Sequence, residues 1–164
     1  MLKLVATGTA LGLIAFLALC VAFGGDAVGP LLLTPASMLL GGFVLLMGWL
    51  VAAYSARNLR GQRRQARYAV LLATAIGALW LMVVAEPLVL MALGWTVSGL
   101  AIAGLVAHSD TASARSASRR VAGRLLVGDV ALWTAVVLLL SAGVSGRAGL
   151  EGVGWVVPAL LAVA

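Results

Sequence analysis

Asp129 stands inside one of the long apolar runs of the chain, VAGRLLVGDVALWTAVVLLLSA, residues 121–142. An ionisable side chain within hydrocarbon is costly, and where one occurs it commonly carries or exchanges charge. Asp129 could bind and release a proton. It could also form an ion pair with Arg124, whose spacing of five places it on roughly the same side of a helix. The plainer alternative is an interfacial acid beside an arginine whose stem snorkels to water. His108 closes another apolar run, and its unperturbed side chain changes charge near neutral pH. It could pass protons between loop water and the membrane interior, or simply lie at the interface. Glu86, directly before Pro87, reads as a solvated loop acid.

The stretch GWTVSGL, residues 94–100, raises a different chemistry. Gly94 and Ser98 are four apart, as are Gly99 and Ala103, and small residues at that spacing let membrane helices approach closely. Thr96 and Ser98 can return hydrogen bonds to their own backbone, so they cost little in lipid. A packing surface is therefore expected first and a polar crossing second. No set of catalytic residues converges, and the sequence holds no phosphate loop and no dinucleotide fingerprint. With one cysteine, Cys20, and one histidine, no Cys/His metal site is expected, and no cofactor.

The elements that must position these residues are membrane helices. The chain is 63% hydrophobic and 10% charged, against about 25% charged in ordinary soluble domains. A bilayer core needs about 20 apolar residues of helix. Runs of that kind fall at 4–23, 31–54, 68–85, 88–107 and 121–142, with a partial sixth at 153–164. The fold class expected is all-α: a polytopic membrane protein of five to six helices in a single transmembrane domain. The first run could instead be a secretory signal peptide, but its apolar stretch is long for one. Twelve residues of helix reach about 18 Å, too short to cross, so the sixth run suggests a shortened chain.

Charge orients the spans. Lys3, the arginines at 57, 60, 63, 64 and 67, and those at 115, 119, 120 and 124 all fall on one side if the spans alternate; Arg147 alone falls on the other. Arginine and lysine mark cytoplasmic loops. The N-terminus and the basic segments 55–67 and 108–120 are thus expected in the cytoplasm, as loops, with the protein in the plasma (inner) membrane. The net charge of +6 reads as topogenic and not as a nucleic-acid footprint. The lipid bilayer is the partner that composition demands.

The run from SMLLGGF through GWTVSGLAIAGLVAH, followed by LLVGDVALW, resembles the proton-conducting membrane transporter superfamily. That superfamily includes the antiporter-like subunit L of respiratory complex I (the NADH-quinone oxidoreductase), the large subunits of Mrp-type sodium/proton antiporters, and the membrane subunit of a two-part inorganic-carbon uptake system. The resemblance covers residues 34 to 140 and rests on YSARNLRG, RQARY, GW, GL and GD in order. It implies a subunit that moves protons, or couples them to inorganic-carbon uptake, beside other membrane subunits or a soluble carbonic-anhydrase-like partner. It implies no enzyme activity of the chain's own. Asp129 matches the aspartate of the superfamily's R.GD motif, although Leu126 or Val127 stands at the motif's arginine position and Arg124 lies further back. Thr96 stands where relatives carry a glutamate, and a threonine cannot take up and release a proton at physiological pH. It could instead hydrogen-bond a water that does. Relatives run to a dozen or more helices with buried lysines, whereas no lysine follows Lys3 here. A membrane scaffold without transport of its own is the competing expectation.

Overall fold

A small residue often stands where two helices of this chain meet, and that choice shapes the fold. The computed structural model describes residues 2–23, 27–28, 31–59, 64–109 and 111–146. Helix α1 is Leu2–Phe23, α2 Pro35–Asn58, α3 Gln65–Val84, α4 Leu88–Val106 and α5 Ala112–Ser141. All five are long and apolar enough to cross a membrane. The protein is an all-α polytopic membrane protein. A two-residue hairpin, β1 Ala27–Val28 with β2 Leu31–Leu32, links α1 to α2. A single 3-10 turn, Ala107–Ser109, follows α4.

Each helix packs on the next, and α1 also touches α3. On α2 the buried residues are Ser37, Gly41, Leu45, Gly48, Ala52 and Ser55. Their spacing of three and four draws one stripe along the helix. Most are small, so neighbouring side chains enter: Phe16 and Val84 press on Gly41, and Ile76 presses on Gly48. Lipid offers no hydrophobic gain to apolar contacts, so close packing of this kind carries the helix association. The large apolar side chains mostly face outward instead, among them Leu11, Ile14, Leu40, Phe43, Leu100 and Val137.

Caps fix where the helices begin and end. Thr34 accepts from the backbone N–H of Ser37 at 3.2 Å, and Pro35 takes the first helical position. Both are strong start signals, so α2 begins four residues after the start of its apolar run. Thr111 accepts from Ala114 N–H at 3.2 Å and starts α5 the same way. At the far end Gly143 takes φ +83°. Gly143 N–H donates to Leu140 and Val144 N–H to Leu139. This is the Schellman arrangement, completed by Val144 and Leu139 in one apolar cluster.

Two expectations about loops are corrected. The basic segment 108–120 is helical from Ala112 onward, so α5 has 30 residues and not the run 121–142 alone. Apolar periodicity marks only the lipid-facing part of a helix, whereas the Ala, Ser and Arg residues after Thr111 extend it into water. Likewise α2 continues to Asn58 and α3 starts at Gln65, so residues 55–58 and 65–67 of the segment 55–67 are helical. The expected partial span 153–164 lies outside the described residues. Cys20 is half-buried in α1 and packs against the main apolar cluster.

The connections opposite the basic side are stitched together. Leu31 bridges to Ala85, Pro87 bridges to Gly146, and Leu88 N–H donates to Ser145 at 3.1 Å. Glu86 is half-buried there, its carboxylate lying against Gly146. The expected solvated acid is thus partly enclosed, because the strand-like bridge on its neighbour Pro87 draws the 143–146 segment over it.

Candidate functional site

The α4–α5 seam holds one antiparallel register over several turns. Ser118 donates to Ala103 O at 2.8 Å. Leu125 lies over Gly99, Asp129 meets Thr96, and Val136 clusters with Leu88 and Ala92. Gly99 and Ala103 are both buried, as expected of packing residues. Asp129 and Thr96 are brought together by that register.

Their geometry is a short polar chain. Trp133 Nε1–H donates to Thr96 Oγ1 at 3.0 Å. Thr96 Oγ1–H donates to Asp129 Oδ1 at 3.3 Å. A hydroxyl has one hydrogen to give and two lone pairs to receive with. The indole occupies a lone pair, so the hydroxyl hydrogen is free to point at the carboxylate. The Thr96–Asp129 bond is long for O–H···O, whose usual length is about 2.8 Å. It is also the one hydrogen bond to Asp129 among the described residues, so the carboxylate keeps most of its acceptor capacity.

The chain lies deep. Thr96 is eight residues from the start of α4 and ten from its end, which puts it about 12 Å and about 15 Å from the two ends. Asp129, Thr96 and Trp133 are each half-buried. Arg124 does not form the expected ion pair. It is exposed, and the structure has no salt bridge between it and Asp129. Five positions turn a helix by about 500°, leaving the two side chains about 140° apart around α5. A spacing of three or four would have aligned them.

The remaining residues of GWTVSGL divide by face. Gly94 is buried against α3: a Cβ there would stand 2.7 Å from the carbonyl oxygen of Ala78 and 2.8 Å from the nitrogen of Met82. Ser98 is buried and donates to Trp95 O at 2.8 Å, as expected. Thr96 does not return its hydrogen bond to its own backbone, because Asp129 offers a better acceptor across the seam. The stretch is therefore both a packing surface and a polar crossing, on opposite sides of one helix.

His108 belongs to a second cluster. It lies in the 3-10 turn after α4, edge-on to Tyr68 with ring centroids 5.2 Å apart. Tyr68 Oη and Ser55 Oγ share a hydrogen bond of 3.0 Å. Nδ1 of His108 is buried without a hydrogen-bond partner among the described residues. Twelve residues separate it from Thr96, about 18 Å along the helix axis, so no direct step joins it to Asp129.

Trp133 was not singled out by sequence reasoning. Its signal was there: Asp129 and Trp133 are four apart on one helix, the spacing at which side chains share a face. No family model matches the chain, and no curated protein matches it either.

Proposed function

We propose that the chain is a proton-translocating membrane subunit of an antiporter-like assembly, with Asp129 as the group that binds and releases the proton. The observation that carries this reading is the setting of Asp129. It is a carboxylate near the middle of the membrane with one neutral hydrogen-bond partner and no neighbouring arginine. Charge is expensive there, and a proton neutralises it. Thr96 steadies the carboxylate in either state, accepting from Trp133 while donating to Asp129. The resemblance of residues 34 to 140 to proton-conducting transporters supports the same reading, since Asp129 falls on that superfamily's aspartate. On that resemblance the partners are other membrane subunits, and the inorganic-carbon branch adds a soluble carbonic-anhydrase-like protein. His108, beside Tyr68, is the group of the basic side suited to collecting protons from loop water.

The test is proton uptake into vesicles holding the chain with its co-purifying subunits, driven by a potassium diffusion potential and followed with a trapped pH dye. Asp129→Asn abolishes uptake while the helices stay folded. Thr96→Val slows it severalfold. Uptake at the wild-type rate in Asp129→Asn overturns the reading. The scaffold reading then takes its place, favoured by the backbone-to-backbone packing at Gly94.

A further inference from the structure

Arginines clustered where a helix enters the membrane attract an anion, and this protein offers a single acid of its own on its basic side. Lys3 and nine arginines are assigned to that side, with Asp110 as the single acid among them. Three of these arginines, Arg119, Arg120 and Arg124, surround one exposed glycine, Gly123, on α5. Residues three and four apart are neighbours on a helix surface. Arg119 and Arg120 therefore flank Gly123 towards the helix start, and Leu126 and Val127 flank it towards the membrane interior. Arg124 adjoins it in sequence.

We propose that this patch binds one anionic phospholipid, with its phosphate held by the three arginines towards the start of α5 and an acyl chain passing over Gly123 along the exposed face below. Four observations support the site. The three arginines are exposed and have no hydrogen bond or ion pair among the described residues. A Cβ at Gly123 would meet nothing within 4 Å, so the helix surface is bare where the acyl chain passes. Leu126 and Val127 are 65% and 70% exposed, and Val130 and Leu138 continue the apolar surface along the same helix. The depth also fits. Ser118 is tied to Ala103 and Leu125 to Gly99, so Gly123 is level with the last turns of α4, about 8 Å inside its end. That is inside the hydrocarbon, below the phosphates, so the arginine stems reach back towards water and their guanidinium groups meet the anionic headgroup there. Charge complementarity selects the occupant: a zwitterionic lipid would leave three arginines uncompensated. The site is separate from the Asp129 chain and does not depend on its role.

Native mass spectrometry of the purified full chain, delipidated and supplied with phosphatidylglycerol or phosphatidylcholine, tests the proposal. The wild type retains one phosphatidylglycerol in preference to phosphatidylcholine. The double variant R120Q/R124Q loses retention about thirtyfold, from the contribution of each arginine near an anionic headgroup. Gly123→Leu changes no charge and favours the helix, yet fills the floor of the site, and it lowers retention severalfold. The control R57Q/R67Q removes the same charge elsewhere on the basic side and retains the lipid. Equal loss in the control, or undiminished binding in Gly123→Leu, overturns the site in favour of diffuse attraction. Displacement by inorganic phosphate alone overturns it in favour of a small-anion site. Circular dichroism confirms that each variant keeps its helices.

Discussion

Helix α4 presents two seams that solve the same problem in opposite ways. Towards α3 it offers Gly94, whose missing side chain admits the α3 backbone at Ala78 and Met82. Towards α5 it offers Thr96, which takes a hydrogen bond from Trp133 and gives one to Asp129. The two residues are two apart in sequence, about 200° around the helix. One seam is held by proximity and tolerates no added atom. The other is held by polar groups and leaves acceptor capacity free on a carboxylate. Membrane helices associate through packing and through hydrogen bonds, and here the two contributions are separated onto two faces. On the proposed function, the rigid face holds α4 still while the polar face exchanges a proton.

The largest expected effect is at the rigid seam. Gly94→Val places a branched side chain against backbone atoms that cannot rotate away. Overpacking usually costs about 1–3 kcal/mol, more where nothing can yield. Gly94→Val is expected to cost more than about 3 kcal/mol and to separate α3 from α4. Unfolding in mixed detergent, followed by circular dichroism, measures it. A loss below about 1 kcal/mol would mean the two backbones are not in contact.

Much of this was legible beforehand, for identifiable reasons. The five spans were readable because hydrocarbon demands long apolar helices, and α4 begins and ends within a residue of its expected bounds. The packing role of Gly94, Ser98, Gly99 and Ala103 was readable from spacing. Asp129 stood out because a charge in an apolar run is rare. Three features escaped. The first turns of α5 lie outside the membrane, where apolar periodicity carries no signal, although the Thr111 cap was visible in principle. The Asp129–Thr96 bond joins residues 33 apart, and their pairing is set by the α4–α5 register, which no local pattern encodes. Trp133 was hidden because an indole in an apolar run looks like packing until its N–H is given a partner.

The polar seam is expected to be worth less than the rigid one. Hydrogen bonds between membrane helices average about 0.6 kcal/mol, with a maximum near 1.7. Thr96→Val is therefore expected to cost about 1 kcal/mol, and Trp133→Phe about half that. The two are not independent, because Thr96 is the acceptor for Trp133. Once Thr96 is valine, Trp133→Phe should cost almost nothing further, leaving a coupling of about 0.5 kcal/mol in the double-mutant cycle. Full additivity would show that the indole stabilises α5 by packing alone. The same cycle repeated on Asp129→Asn sharpens the comparison, since an amide keeps an oxygen to accept from Thr96. Stability in that variant should stay within about 0.5 kcal/mol of wild type, even where the proposed proton uptake is lost.

The smallest effect is expected where the two kinds of seam overlap. Gly99 faces α5, the polar partner, but packs as Gly94 does, without a side chain. A Cβ there would lie 3.3 Å from Leu125 Cδ1, the far end of a side chain that can rotate. The crowding is thus small, and alanine is favoured over glycine in a helix by about 1 kcal/mol. The two oppose each other, so Gly99→Ala should shift stability by no more than about 0.5 kcal/mol in either direction. What distinguishes it from Gly94 is only what stands opposite: a movable leucine and not a backbone. If Gly99→Ala proved as damaging as Gly94→Val, the α4–α5 seam would be as rigid as its neighbour. Asp129 would then lack the freedom of movement that exchanging a proton requires.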